Sequence, residues 1–240
     1  MRSSKSKPGT RSRKPAGQIS ATPPRSKSLA TGRAAELLAA GVAIVAIFVV
    51  LTDITFILKH HLSYPFGDQW IWLARLHESG FLRNLYVQYN EHRLMIPGLF
   101  FFLDYRYFGG SNHFLSICEL AIQTGCAALL AFPVWREQRI GRPVRLVFSG
   151  FALVLMFWFL QAENLFLPYQ IQIVCSNFGL LAIAILLPEL AARQRAGRET
   201  NRLLIAILGL ALWSTFSFGH GMLIWPAILV FAAVSRLPKR

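Results

Sequence analysis

The sequence predicts an all-α integral membrane protein of about six transmembrane helices, with a long outer loop carrying interfacial helices. Three observations carry that reading. Apolar residues make up 54% of the 240 positions and charged residues only 15%, too few charges to clothe a soluble domain. Several mostly apolar runs approach or exceed the roughly 20 residues that a membrane-spanning helix needs. The 25 lysines and arginines fall mainly on alternate connections between those runs, as cytoplasmic loops of membrane proteins require.

The chain opens with residues 1–33, which hold nine basic residues and no acid. Rich in Ser, Pro, Lys and Arg, this stretch has too little apolar surface to offset the entropy of ordering, so it reads as a disordered cytoplasmic tail. Its partner by charge is anionic lipid on the adjoining leaflet rather than nucleic acid. The membrane domain follows as residues 34–240. Its first span, Ala34 to Leu58, would measure about 37 Å as a helix, enough to cross a hydrocarbon core of about 30 Å with tilt.

An outer loop, residues 59–113, comes next. Within it the apolar piece Leu94 to Phe108 is too short to cross and reads as an interfacial or re-entrant helix. Phe114 to Trp135 forms the second span and ends in the cluster Arg136, Arg139, Arg142 and Arg145, which returns the chain to the basic side. Leu146 to Ala192 reads as a helical hairpin that turns at the polar patch Gln161 to Gln172, with Trp158 and Tyr169 at headgroup level. It ends in a second basic cluster, Arg193, Arg195, Arg198 and Arg202. A last short pair, Leu203 to Phe218 and Met222 to Val234, turns at Gly219, His220 and Gly221. This topology puts both termini in the cytoplasm. All but five of the 25 basic residues fall inside, and all six histidines outside.

Candidate chemistry concentrates in the outer loop. Pro65 and Gly67 predict a turn, and Asp68 then stands where a helix starting at Gln69 would have its N-cap. The same carboxylate, ionised at neutral pH, is a base able to take a proton from an incoming hydroxyl. Both roles stay open on local sequence. Glu91, His92 and Arg93 open the interfacial helix, and Arg93 has the fork of donors that suits a phosphate or a lipid headgroup. The six histidines and the three cysteines lack metal-ligand spacing, so no metal site, disulfide framework or cofactor is expected. Asp53 and Glu119, inside spans, are expected to face the bundle interior.

The order of these features resembles the GT-C superfamily of integral-membrane glycosyltransferases. The stretches that carry the resemblance are Gly67-Asp68-Gln69-Trp70, Glu91-His92-Arg93, Phe108-Gly109-Gly110-Ser111-Asn112 and Gly219 to Pro226. It extends from Ala34 to Val234. The resemblance implies transfer of a sugar from a polyprenyl-phosphate carrier to an acceptor hydroxyl, with inversion, at the outer face of a bacterial inner membrane. It implies Asp68 as the base and Glu91, His92 and Arg93 near the lipid phosphate. Two features depart from the pattern. Many relatives carry a second acid where this chain has Gln69, and relatives run to several hundred residues with further spans. The resemblance therefore implies an N-terminal portion or a compact version. The alternatives are a non-catalytic membrane protein that binds a lipid carrier or a second membrane chain, and an inactive remnant.

Overall fold

The computed structural model describes residues 26–88, 93–158 and 161–235. Among them every regular element is helical. The loop after the first helix, α1 (Ser26–His60), contains α2 (Asp68–Ser79), α3 (Phe81–Tyr86) and α4 (Met95–Tyr107). The bundle continues with α5 (His113–Arg136), α6 (Arg142–Met156), α7 (Ala162–Phe166), α8 (Ile171–Arg195), α9 (Asn201–Thr215) and α10 (Ile224–Val234). Short 3-10 turns, Pro168–Gln170 and Gly219–Leu223, lead into α8 and α10.

Among the described residues, three segments are long and apolar enough to cross a membrane: Gly32–His60, His113–Arg136 and Pro168–Arg195. The others that the hydropathy pattern counts as crossings are shorter. α6 and α9 have 15 residues each and α10 has 11, so their helical rise is about 22 Å and about 16 Å against a core of about 30 Å. α1 starts at Ser26, ahead of Ala34, while residues 1–25 lie outside the described residues. The piece read as an interfacial helix, Leu94 to Phe108, is helical over Met95–Tyr107.

Packing follows the sequence of small residues. α1 buries one narrow stripe, Ala39, Ala46, Asp53 and Ile57, whose spacing of seven, seven and four keeps them on one helix face. Much of the rest of α1, including Leu37, Ile44 and Phe48, is exposed apolar surface of the kind a bilayer covers. α1 lies against α6, α6 against α5, α5 against α8 and α8 against α9. Glycine sets two of these crossings. Gly150 of α6 sits directly on Val42 of α1, and a Cβ at Gly179 of α8 would lie 3.0 Å from both the Leu210 carbonyl oxygen and the Ser214 side chain of α9.

Three apolar cores result. One joins α1, α5, the end of α6 and α7 through Ile57, Leu120, Phe157 and Leu165. A second joins α8, α9 and α10 through Ile183, Ile207, Ala211 and Ile224. The third joins loop to bundle, because Trp72, Leu73, Leu94 and Phe101 of the loop helices pack there on Leu115, Ile171 and Cys175 of the bundle. The loop helices are thus part of the fold.

The bundle has two chemically distinct ends. At one, Arg136 and Arg193 both bond Glu189, and Arg145 donates to the Ile140 and Glu137 carbonyls at 2.9 and 3.0 Å, which closes the α5–α6 turn. At the other end lie α2 to α4, α7 and the α9–α10 turn. That turn is seated on the loop and on α8: the Ile96 amide donates to the Phe216 carbonyl at 3.1 Å, and His220 Nε2 lies 3.2 Å from Asn177 Oδ1. Every described histidine is at this loop end.

The α9–α10 turn also predicts which glycines are replaceable. A Cβ at Gly221 would strike the backbone carbonyl of Ser214 and crowd Ser176 Oγ, whereas one at Gly209 in α9 would meet open space. Gly221→Ala is expected to lower stability by at least about 2 kcal/mol, and Gly209→Ala to raise it by up to about 1 kcal/mol through helix propensity. Thermal unfolding of the two purified variants in one detergent checks the pair.

Candidate functional site

The loop end is assembled around Asn112. Gly109, Gly110 and Asn112 all have positive φ, of 70°, 68° and 59°, so the chain can reverse between α4 and α5 within a few residues. Glycine tolerates that region freely, and asparagine is among the few other residues that occupy it readily. The reversal turns the Asn112 side chain inward, where it is 1% exposed. Its Nδ2 donates to the carbonyls of Leu62 and Tyr64 at 2.9 and 2.8 Å, and its Oδ1 accepts from Gln69 Nε2 at 2.9 Å. Its own amide donates to Asp104 Oδ2 at 3.1 Å. One residue therefore binds the exit of α1, the first turn of α2, the body of α4 and the start of α5.

Asp104 is buried as well, at 2% exposure. Burial raises its carboxyl above the ordinary aspartate range, while the amides of Asn112, Phe114 and Leu115 and the nearby His113 pull it partly back down. The amides belong to the opening turn of α5, where an acceptor is favoured by the unpaired N–H groups and the helix dipole.

Asp68 is positioned by this frame. The helix begins at Asp68 itself, and Gly67, with φ 53° and ψ −121°, takes the N-cap position that the spacing assigned to Asp68. The correction has a physical cause: the Gln69 and Trp70 amides bond to the Phe66 and Gly67 carbonyls, and Gln69 Oε1 accepts from the Phe66 amide, so the turn closes one residue earlier. The half-buried Asp68 carboxylate meets a residue from the far side of the fold, the Tyr169 hydroxyl, which donates to Oδ2 at 2.9 Å. Tyr169 lies in the 3-10 turn before α8 and stacks on Phe101 at 5.9 Å. Phe101 in turn meets Trp72 edge-on at 5.6 Å. A continuous aromatic ladder thus runs from the α2 core to the phenol that touches Asp68.

Of the other sequence-predicted site residues, Glu91 and His92 lie outside the described residues. Arg93 is exposed and immediately precedes Leu94, which is buried with Trp72 and Leu73 in the loop core. Arg75, two turns beyond Asp68 on α2, donates to the Gln88 carbonyl at 3.3 Å and so reaches the segment that leads to Glu91. His77 Nε2 lies 2.9 Å from the Tyr105 hydroxyl and joins α2 to α4. Among the described residues no group of three or more His, Cys, Asp or Glu is placed to hold a metal ion.

Sequence reasoning missed Tyr169 as a partner of Asp68, because 101 residues separate the two and the tyrosine looked like an ordinary headgroup anchor. It also missed Asn112 as the organiser. The signal available was Gly109-Gly110-Ser111-Asn112, a stretch able to supply several positive φ values.

The buried acids of the spans behave differently. Glu119 of α5 is fully buried with neither carboxyl oxygen hydrogen-bonded, and Asp53 of α1 is 6% exposed with Oδ2 unpaired. Both face the interior, as expected for acids inside spans.

Comparison with protein-family models, with curated proteins and with solved structures returns no match. The functional reading therefore rests on the geometry of this end of the bundle and on the motif resemblance.

The Asn112 frame yields a direct test. Asn112→Asp keeps the shape but replaces two N–H donors with an acceptor aimed at two carbonyls, at a buried position. The expected cost is about 3 kcal/mol or more. It is read as a lowered thermal midpoint in detergent and as faster proteolysis of the loop between α1 and α5.

Proposed function

We propose that this chain is a GT-C-like glycosyltransferase, or the N-terminal portion of one. It moves a sugar from a polyprenyl-phosphate carrier to an acceptor hydroxyl at the outer face of a bacterial inner membrane. In this reading the loop end faces outward and the arginine end faces the cytoplasm, with both termini. The chain crosses six times, with α6, α9 and α10 completed by their flanking residues. The observation that carries the proposal is the placement of Asp68. Its carboxylate is held half-buried between the loop helices and the α7–α8 turn by a phenol rather than occupying the N-cap position.

The chemistry is a single inverting displacement. Asp68 takes the proton of the acceptor hydroxyl as that oxygen attacks the anomeric carbon. The bond from the anomeric carbon to the phosphate oxygen breaks, and its electron pair leaves with the lipid phosphate. Arg93, with Glu91 and His92, contacts that phosphate, where a guanidinium fork offsets the charge that accumulates. Tyr169 fixes the direction of the Asp68 carboxylate.

The Asp68–Tyr169 bond itself favours a second reading, in which the carboxylate is a structural tie in a non-catalytic protein that binds a lipid carrier or a second membrane chain. Asp68→Asn separates the two, because the amide oxygen still accepts from Tyr169 but the side chain is no longer a base. The proposal expects transfer of labelled sugar from polyprenyl phosphate in isolated membranes to fall by at least about 100-fold, with unchanged protein abundance. Full transfer by that variant would leave only the tie.

A further inference from the structure

A second built feature lies at the opposite end from Asp68. Residues of α5 and α8 line an open groove there of about 600 Å³, within the roughly 300 to 1,000 Å³ typical of small-molecule sites. Its walls are apolar side chains such as Leu130 and Phe132 of α5 and Leu181 and Ile185 of α8. Each wall also contains a helix-interior proline, Pro133 in α5 and Pro188 in α8. A proline has no N–H for the carbonyl four residues earlier. Those carbonyls belong to Leu129 and Ala184, and both residues line the groove. Each apolar wall thus holds a backbone acceptor released from its helix partner.

The mouth is charged. Arg136 Nη2 and Arg193 Nε donate to the two oxygens of Glu189 at 2.9 and 2.8 Å, so one carboxylate orients two guanidiniums side by side. The triplet carries a net positive charge, and each guanidinium keeps further N–H donors beyond the one it gives to Glu189. The surrounding turns reinforce the sign, with three further arginines beside each, against Glu137 and Glu199. An apolar slot with a cationic rim fits a molecule with a hydrocarbon tail and an anionic head.

From this arrangement we infer that the α5–α8 groove is a binding site for one anionic phospholipid. An acyl chain lies along the apolar walls and the phosphate sits at the Arg136–Arg193 pair. A phospholipid is the occupant because α5 and α8 are both membrane-crossing candidates, so bilayer lipid is the solvent of this surface, and because the rim selects negative charge. The inference rests on the membrane reading of α5 and α8 and is independent of the transferase reading.

Native mass spectrometry of the full chain in detergent tests it, with dioleoyl phosphatidylglycerol and dioleoyl phosphatidylcholine added at equal concentration. The wild type is expected to retain one phosphatidylglycerol with about tenfold preference. The double variant Arg136→Gln, Arg193→Gln is expected to lose that preference. Ala184→Trp, which fills the slot at an exposed position, is expected to reduce retention of both lipids several-fold. Equal retention of the two lipids by the wild type overturns the site without any variant. Undiminished phosphatidylglycerol retention by Ala184→Trp would place the lipid on the arginine surface instead of in the groove, and also overturns it.

Discussion

The structure depends on one buried amide. Asn112 spends both donors and its acceptor on Leu62, Tyr64 and Gln69, and its backbone N–H on Asp104. Hydrogen bonds of this kind contribute only about 1 kcal/mol each when formed, but a buried donor or acceptor left unpaired costs more. The bonds therefore act as a constraint on register: α1, α2, α4 and α5 can meet at this point in one relative position. Apolar packing of Trp72, Leu94 and Phe101 on Leu115 and Ile171 then supplies the bulk of the attraction between loop and bundle.

That constraint gives Asp68 its meaning. Gln69, next in the chain, is pinned by Asn112 on one side and bonds the Phe66 amide on the other, so Asp68 cannot rotate away with a fraying helix end. Its direction is then set by Tyr169, which Phe101 and Trp72 back in a ladder of rings. A carboxylate supported in this way is pre-oriented, which is what a proton acceptor in a displacement reaction needs. The opposite end uses different means to a different result: Glu189 holds two cations together at the mouth of an apolar slot.

Much of the architecture was legible because it depends on local composition. The long runs of α1, α5 and α8 register as hydropathy alone, and the basic turns mark the end at which Arg136 and Arg193 later meet. The short apolar piece from Leu94 to Phe108 was legible as a helix, and α4 occupies it over Met95–Tyr107. Features that depend on distant partners were not legible. Asn112 reaches residues 43 to 50 positions away, and Asp68 reaches across 101, distances at which a single sequence has no periodic signal. The N-cap position that the spacing gave Asp68 passed to Gly67 because Gln69 closes the turn early, a choice made by hydrogen bonds to Phe66 and Asn112. Helix length was the other limit, since apolar composition does not distinguish the 15 residues of α6 or α9 from a full crossing.

In the proposed topology the end carrying Asp68 and the end carrying the arginines lie on opposite sides of a membrane. A cysteine introduced at Ser63 or at Arg139, in a chain with Cys118 replaced by serine and only the buried Cys126 and Cys175 kept, tests it through labelling of intact cells by a membrane-impermeant maleimide. The account predicts that the cysteine at position 63 reacts from outside and the one at 139 only after the cells are permeabilised. Equal labelling of both in intact cells, or of neither until permeabilisation, would contradict it.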